Sequence, residues 1–328
     1  MQHRILGRTG RDVSLIGLGT WQLGSDWGDV SEAEARAVLD ASAAAGVTFF
    51  DTADVYGDGR SESLIGAWRR ENPDVELTVA TKMGRRVDQI PQNYVLENFR
   101  AWTDRSRRNL GVDTLDLVQL HCPPTAVYSD DAVFDALDTL VADEAIGNYG
   151  VSVETVDEAL TAIARPGVAT VQIILNAFRL KPLDDVLLAA GAAGVGIIAR
   201  VPLASGLLSG RYTHDTVFAA NDHRTYNRHG EAFDQGETFS GVDYDEGVEA
   251  AQEFAALADK AGLAPAAAAL AWVSQLPGVS AVIPGARNVA QAESNAAAGS
   301  IADLGAEFTA SVREIYDRRL RAAVHPRW

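Results

Sequence analysis

The 328-residue chain contains a single cysteine, Cys122, so no internal disulfide can form. A reducing compartment such as the cytoplasm is the expectation. No apolar run approaches the roughly 20 residues a spanning helix needs. The opening MQHRILGRTGRD holds no apolar core of a secretory signal. Basic residues are scarce, with 28 Lys and Arg against 45 Asp and Glu, a formal net charge of −17. Affinity for nucleic acid comes largely from Lys and Arg on phosphates, so this balance argues against a nucleic-acid partner and against an anionic membrane surface. An acidic shell also repels anions at long range, so any phosphate-bearing ligand requires a local basic pocket. Also missing is the GxGxxG spacing of a doubly wound nucleotide-binding sheet: the first strand runs instead into GLGTWQLG.

What is present is rhythm. Short apolar segments at Leu15–Gly19, Val47–Asp51, Leu77–Lys82, Asp116–His121, Gly147–Val151, Thr170–Asn176, Gly196–Arg200 and Ser280–Ile283 read as strands buried on both faces. Between them lie helical segments at Ser31–Ala45, Glu62–Arg69, Gln92–Leu110, Asp130–Asp143, Thr155–Ala164 and Leu183–Gly194. Ser31-x-x-Glu34 and Thr155-x-x-Glu158 are capping boxes. Gly46, Gly111 and Gly194 stand where helices should stop. Strands alternating with helices mean βαβ units, and eight of them predict a closed (β/α)8 barrel spanning residues 1–328 as one α/β domain. Arg4–Leu6 and Val13–Leu15 flank a Gly-rich turn, which predicts an N-terminal β-hairpin under the barrel. Ser209–Asp245 breaks the rhythm: a long polar loop after strand 7, placed to overhang the active face.

Barrel chemistry sits at the C-terminal ends of strands. That rule selects Asp51, Lys82 and His121 at three strand ends and Tyr56 in the loop five residues past Asp51. Singly, each has an ordinary reading: a backbone-capping Asp, a packed Tyr, a Lys answering a carboxylate, a satisfied core His. Together at one mouth they suit carbonyl chemistry. A phenol can protonate a carbonyl oxygen if a nearby ammonium pulls down its ordinary pKa of about 10. Lys82 is placed to do this, Asp51 to hold Lys82 charged, and His121 to orient the oxygen. Cys122 is expected to point away from His121 and to be structural. No metal-ligand pattern is evident.

The segments FDTADVYGDGRSE, ATKMG and DLVQLHCP resemble the catalytic segments of the aldo-keto reductase family, and the resemblance extends from GLGTWQLG to IPGARNVAQAESN, nearly the whole chain. It implies NADPH-dependent reduction of an aldehyde or ketone, with NADH a weaker cofactor, a small carbonyl compound as partner, and Tyr56, Lys82, Asp51 and His121 as the catalytic set. It also implies a cofactor lying across the mouth against Gly19, Thr20, Trp21 and Asp51, with Ser152 and Gln172 at its carboxamide. Pro202, Leu203, Ser205, Gly206 and Leu207 would wrap its pyrophosphate. Gly285, Arg287, Gln291 and Asn295 would meet its adenosine phosphate. Three positions depart from common family patterns. Val153 follows Ser152 where Asn is frequent, Arg200 stands where an aromatic ring usually stacks on nicotinamide, and Gly285 and Gln291 replace Lys and Arg. Arg287 is then the main candidate for the 2′-phosphate.

Trp21, Trp27, Tyr56 and His121 are the expected substrate pocket. Arg211, His223, Arg224, Arg228 and His229 in the long loop are candidates to meet an anionic substrate or the cofactor pyrophosphate but read mainly as solvated charges, and the closing HPRW as a tail able to reach the mouth. Two other functions fit the same fold: a class I aldolase-type lyase with a Schiff base on Lys82, and a cofactor-bound redox-sensing subunit resembling the channel-associated β-subunits of this family.

Overall fold

The short apolar segments form eight parallel strands in sequential order in a computed structural model, which describes residues 1–24 and 30–328. An antiparallel pair, β1 (His3–Ile5) and β2 (Asp12–Ser14), precedes them. The eight are β3 (Leu18–Gly19), β4 (Phe49–Asp51), β5 (Thr78–Met83), β6 (Leu117–His121), β7 (Tyr149–Ser152), β8 (Val168–Ile174), β9 (Gly196–Arg200) and β10 (Val279–Val282). The sheet closes on itself. Gly17 N donates to Val282 O (2.8 Å), Val282 N to Leu15 O (2.8 Å) and Gly19 N to Pro284 O (3.0 Å), so strand edges that would otherwise be open are paired. The first strand is shorter than expected because Leu15–Gly17 serve mainly in this closure.

Helices α1 (Glu32–Ala44), α2 (Arg60–Glu71), α3 (Leu96–Leu110), α4 (Asp131–Ala142), α5 (Val156–Ile163) and α6 (Val186–Ala193) alternate with β3 to β9. Both capping boxes form, at Ser31 with Glu34 and at Thr155 with Glu158. α3 and α6 end on Gly111 and Gly194 in the left-handed conformation. After β9 come α7 (His223–Tyr226), α8 (Tyr244–Lys260) and α9 (Pro265–Gln275); after β10 come α10 (Val289–Ala298), α11 (Gly305–Arg319) and α12 (Arg321–Val324). Among the described residues no single helix is long and apolar enough to cross a membrane; α8 and α9 pass that test only as a pair, bent by 84°.

The hairpin seals the N-terminal end of the barrel. Leu6 and Val13 pack inside with Phe49, Ala80, Leu117, Ile198 and Ala281. Gly7, at φ +50°, approaches so closely that a Cβ would lie 2.0 Å from Gly196 N, which only glycine permits. The end of the barrel opposite the strand C-termini is thereby closed.

The segment after β9 is not the open polar loop that its composition suggests. His223, Arg224 and Asn227 are buried, and Asn227 Oδ1 accepts from Ala232 N (2.8 Å) and Phe233 N (2.9 Å). The chain's last residues hold it. Trp328 is buried against Gly241, donates from Nε1 to Asp234 (3.1 Å), and carries the Arg179 guanidinium 4.1 Å over its ring. The tail thus braces the back of this segment.

Candidate active site

β4, β5 and β6 deliver Asp51, Lys82 and His121 to the same mouth, and the turn after β4 folds Tyr56 back over them. That turn is tight: Gly57, Asp58 and Gly59 all have positive φ. Lys82 is fully buried. Its Nζ forms an ion pair with Asp51, donates to Thr52 O (2.9 Å) and lies 3.5 Å from the Tyr56 hydroxyl. The second Asp51 oxygen accepts from Gln172 (2.8 Å) and Gln119 (3.3 Å). His121 meets Tyr56 edge-on, ring centroids 6.0 Å apart. The four residues the sequence selects are therefore one contiguous group.

Burial alone would strip the proton from Lys82, but Asp51 and Tyr56 outweigh it and raise the amine's pKa. Tyr56 does not behave as the sequence suggests. Burial raises its pKa, Asp51 and Glu237 add to this, and Lys82 offsets only part, so the phenol lies above its ordinary value rather than below it. The hydroxyl is a neutral donor. His121 is pushed well below its ordinary pKa, first by burial and then by Arg85, Lys82 and Arg200. It is a neutral imidazole whose buried Nδ1 has no hydrogen-bond partner.

The group opens into a cleft of about 880 Å³. Gly19, Thr20, Trp21, Tyr56, His121, Ser152, Gln172, Arg200, Pro202, Leu203, Ser205, Gly206, Gly285, Arg287, Gln291 and Asn295 all line it. The Thr20 hydroxyl donates to Asp51 O (2.9 Å), tying the first βα loop to the second. The Gln172 amide N–H is committed to Asp51 (2.8 Å) at the edge of the cleft. Val201, Ala204 and Ser205 adopt positive φ beside Gly206, and such clusters of uncommon backbone mark functional turns. Gln291 accepts from Arg287 N (2.8 Å) and Asn295 donates to Gly285 O (3.1 Å), so both shape the 285–288 turn.

Several expectations are corrected. Leu207 does not face the cleft; it is buried against Gly247 of α8. Strand β6 stops at His121, and Cys122, at φ +46°, turns its thiol onto Ser152 Oγ (3.3 Å) beside Arg200 (3.7 Å). Burial pushes that thiol up to about 12, and it lines a different cavity from His121, in keeping with a structural role away from that ring. Arg224 is buried against Asp222 (2.8 Å) and borders the cleft, and Arg228 stacks over Tyr244 (4.9 Å), so neither is a solvated loop charge. His223 packs on Trp21 (5.2 Å); His229 is exposed as expected. Trp27 lies outside the described residues.

The sequence reading also missed four contributors. Gln22 abuts Gly285 so closely that a Cβ there would sit 2.1 Å from its Oε1. Arg85 donates to His121 O (3.1 Å) and faces Glu154 (3.6 Å). Glu154 and Glu237 clamp Arg200 at 3.0 and 2.5 Å. Arg85 was reachable from the strand-end rule, three residues past Lys82. Glu237 had no local signal, since it meets Arg200 only through the fold of the long segment.

The chain's acidity is locally reversed here. Five arginines line the cleft against two carboxylates, Asp51 and Glu237. Arg85, Arg200 and Arg224 are held by carboxylates, whereas the guanidinium groups of Arg211 and Arg287 have no hydrogen bond or ion pair within the described residues. One end of the cleft thus carries two guanidinium groups without a close carboxylate among the described residues, Arg287 acting on Glu34 only at longer range, beside small-residue turns, as a phosphate-bearing ligand requires. The other end holds the Tyr56 hydroxyl beside His121.

Known proteins share this arrangement of the chain. It is 32% identical to a Mycobacterium bovis protein named only as an uncharacterized oxidoreductase, over 94% of this chain and 90% of that one. The glycerol dehydrogenase of Gluconobacter oxydans superposes with a TM-score of 0.79 at 29% identity, covering 97% of this chain and 95% of that one. An aldo-keto reductase of Klebsiella pneumoniae, solved in complex with NADPH, superposes with a TM-score of 0.71 at 24% identity, covering 96% of each chain. Residues 15–317 match the sequence model of the aldo/keto reductase family, and the chain belongs to that family.

Proposed function

We propose that the protein reduces an aldehyde or ketone with NADPH, reversibly, with Tyr56 as general acid and base. The observation that carries this reading is Lys82 Nζ seated between Asp51 and the Tyr56 hydroxyl, with neutral His121 across from them at the closed end of an arginine-bearing cleft. The site fits the cofactor. Arg287 and Arg211 are available to its phosphates, the Pro202–Gly206 turn offers close backbone approach, and Ser152 and Gln172 line the end nearest Tyr56, where the nicotinamide would lie. When bound, reduced nicotinamide supplies the hydride. His121 holds the carbonyl oxygen in place, and the Tyr56 hydroxyl gives its proton to that oxygen as negative charge develops there. The resulting phenolate is stabilised by Lys82, and Asp51 keeps Lys82 protonated and oriented.

A Schiff-base lyase needs a neutral lysine; Lys82, paired with Asp51 and raised in pKa, is the wrong protonation state. A sensing subunit remains the second reading, favoured by 28% identity over 87% of each chain to a rice protein named a probable voltage-gated potassium channel subunit beta, and turnover separates the two. The test is NADPH consumption with a reactive aldehyde by the wild type and Tyr56→Phe. General acid catalysis contributes roughly two to four orders of magnitude, so the variant should lose about that much rate while binding NADPH nearly as before. Near-normal kcat on an unactivated ketone would refute the assignment.

A further inference from the structure

Strands hold Asp51, Lys82 and His121, but no strand holds Tyr56. It lies in the 54–59 turn, where Gly57, Asp58 and Gly59 all have positive φ. Such backbone persists only where its surroundings over-determine it. One side of the turn meets main chain: a Cβ on Gly57 would lie 2.2 Å from Gly24 O, and one on Gly24 would lie 2.7 Å from Tyr56 C. The other side meets a side chain from α3. Arg105 donates from Nη1 to Asp54 O (3.1 Å) and from Nη2 to Asp58 O (2.6 Å), the carbonyls two residues before and two residues after Tyr56. Nη2 also donates to Asp58 Oδ1 (2.9 Å), which pairs with Arg86 as well. Gly59 admits the guanidinium, since a Cβ there would lie 3.1 Å from Nη2.

The position of this turn sets the distance from the Tyr56 hydroxyl to Lys82 Nζ, 3.5 Å. Beyond burial, the charges that act most on the phenol are Lys82 on β5, Asp51 on β4, Glu237 in the segment after β9 and Arg85 after β5. Neutral His121 on β6 meets the ring edge-on and Trp21 stacks on it at 6.1 Å. Arg105 touches the backbone around Tyr56 rather than its ring. A guanidinium suits that place because its planar fork carries five donors and bonds two carbonyls at once, whereas an ammonium is a compact point charge.

Resting on the reductase reading, we propose that Arg105 is the positioning residue of Tyr56, clamping the carbonyls on either side of it so that the hydroxyl stays beside Lys82. If the turn relaxes by about 1.5 Å, the cation's hold weakens enough at an effective dielectric of about 20 to raise the phenol's titration by about one pH unit. Arg105→Gln, whose amide bonds at most one carbonyl, should therefore move the pH limb of alcohol oxidation up by about one unit. At a fixed pH below the limb, the oxidation rate should fall about tenfold. The NADPH dissociation constant, read from nucleotide fluorescence without turnover, should stay within about twofold. The nearby Asp54 carboxyl titrates at about 7 and is itself lowered by Arg105, so the profiles are compared in an Asp54→Asn background. Arg105→Lys keeps the charge but not the fork and should give an intermediate limb. Arg108→Gln makes the same change of charge at an exposed position of α3 and should match the wild type. An unmoved limb in Arg105→Gln, an Arg105→Lys limb equal to that of the wild type, or NADPH affinity lost in step with rate would overturn the clamp and leave the reductase reading standing. If Arg105→Gln does not fold, Arg105→Lys carries the same test. No NADPH consumption by the wild type with any aldehyde would overturn both.

Discussion

Lys82→Met probes the balance of forces on the proton donor. Burial raises the Tyr56 pKa, and the ammonium 3.5 Å from its hydroxyl opposes the rise. At an effective dielectric of about 20, unit charges at that distance attract by about 4.7 kcal/mol; at about 80 the figure is about 1.2 kcal/mol. Removing the cation should therefore move the phenol's titration upward by roughly one to three pH units. The sign is the same in both reaction directions. Reduction uses the protonated phenol and is lost as pH rises through its pKa. Alcohol oxidation uses the phenolate and is gained there. Both limbs move to higher pH, so at a fixed pH below the limb alcohol oxidation should fall roughly tenfold to a thousandfold, while reduction slows because the phenol is a weaker acid. Lys82→Arg, which keeps a cation, should retain part of the oxidation rate. The substitution also leaves Asp51 buried without its partner, at about 3–5 kcal/mol, so rates need measuring well below a melting temperature determined for each variant. A full pH profile of alcohol oxidation that does not move in Lys82→Met would show that Lys82 only supports Asp51 and plays no part in tuning the phenol.

Three further outcomes are expected. Arg287→Ala should weaken NADPH roughly tenfold and NADH little, because charge-assisted contacts to phosphate are lost only for the former; an unchanged affinity ratio would place 2′-phosphate recognition elsewhere, Arg211 being the next candidate. Arg200→Tyr removes a cation and leaves Glu154 and Glu237 facing the nicotinamide end, so cationic NADP+ should tighten more than NADPH; equal changes in the two dissociation constants would rule out a redox-selective role for Arg200. Asp54 is buried, and burial followed by Glu62 raises its pKa to about 7 against the opposing pull of Arg86, Arg105 and the Val55 backbone N–H. The folded state thus holds a proton that the unfolded chain releases near its ordinary carboxylate value, and stability is lost as pH rises from about 4 to about 7. Asp54→Asn should raise the melting temperature at pH 8 and do little at pH 4; a gain of equal size at both would refute the titration.

The sequence by itself determined the barrel and the place of its chemistry. Both follow from local pattern. Strands buried on two faces read as continuous apolar runs, helices as runs with capping boxes at Ser31 and Thr155, and a strand that ends in Asp51, Lys82 or His121 must project it at the mouth. Tertiary structure decided what those groups are chemically. Whether Tyr56 titrates above or below its ordinary value depends on how much burial outweighs Lys82, and a linear pattern carries no measure of either. The partners of Arg200 come from β7's end and from a segment 37 residues further on, so no local signal could reveal that its charge is already answered. The direction of the Cys122 thiol turned on one positive φ at the end of β6. Leu207 faced the core because α8 packs against the turn that carries it. Periodicity is a property of neighbours in the chain, whereas burial and ion pairing exist only between groups that folding brings together.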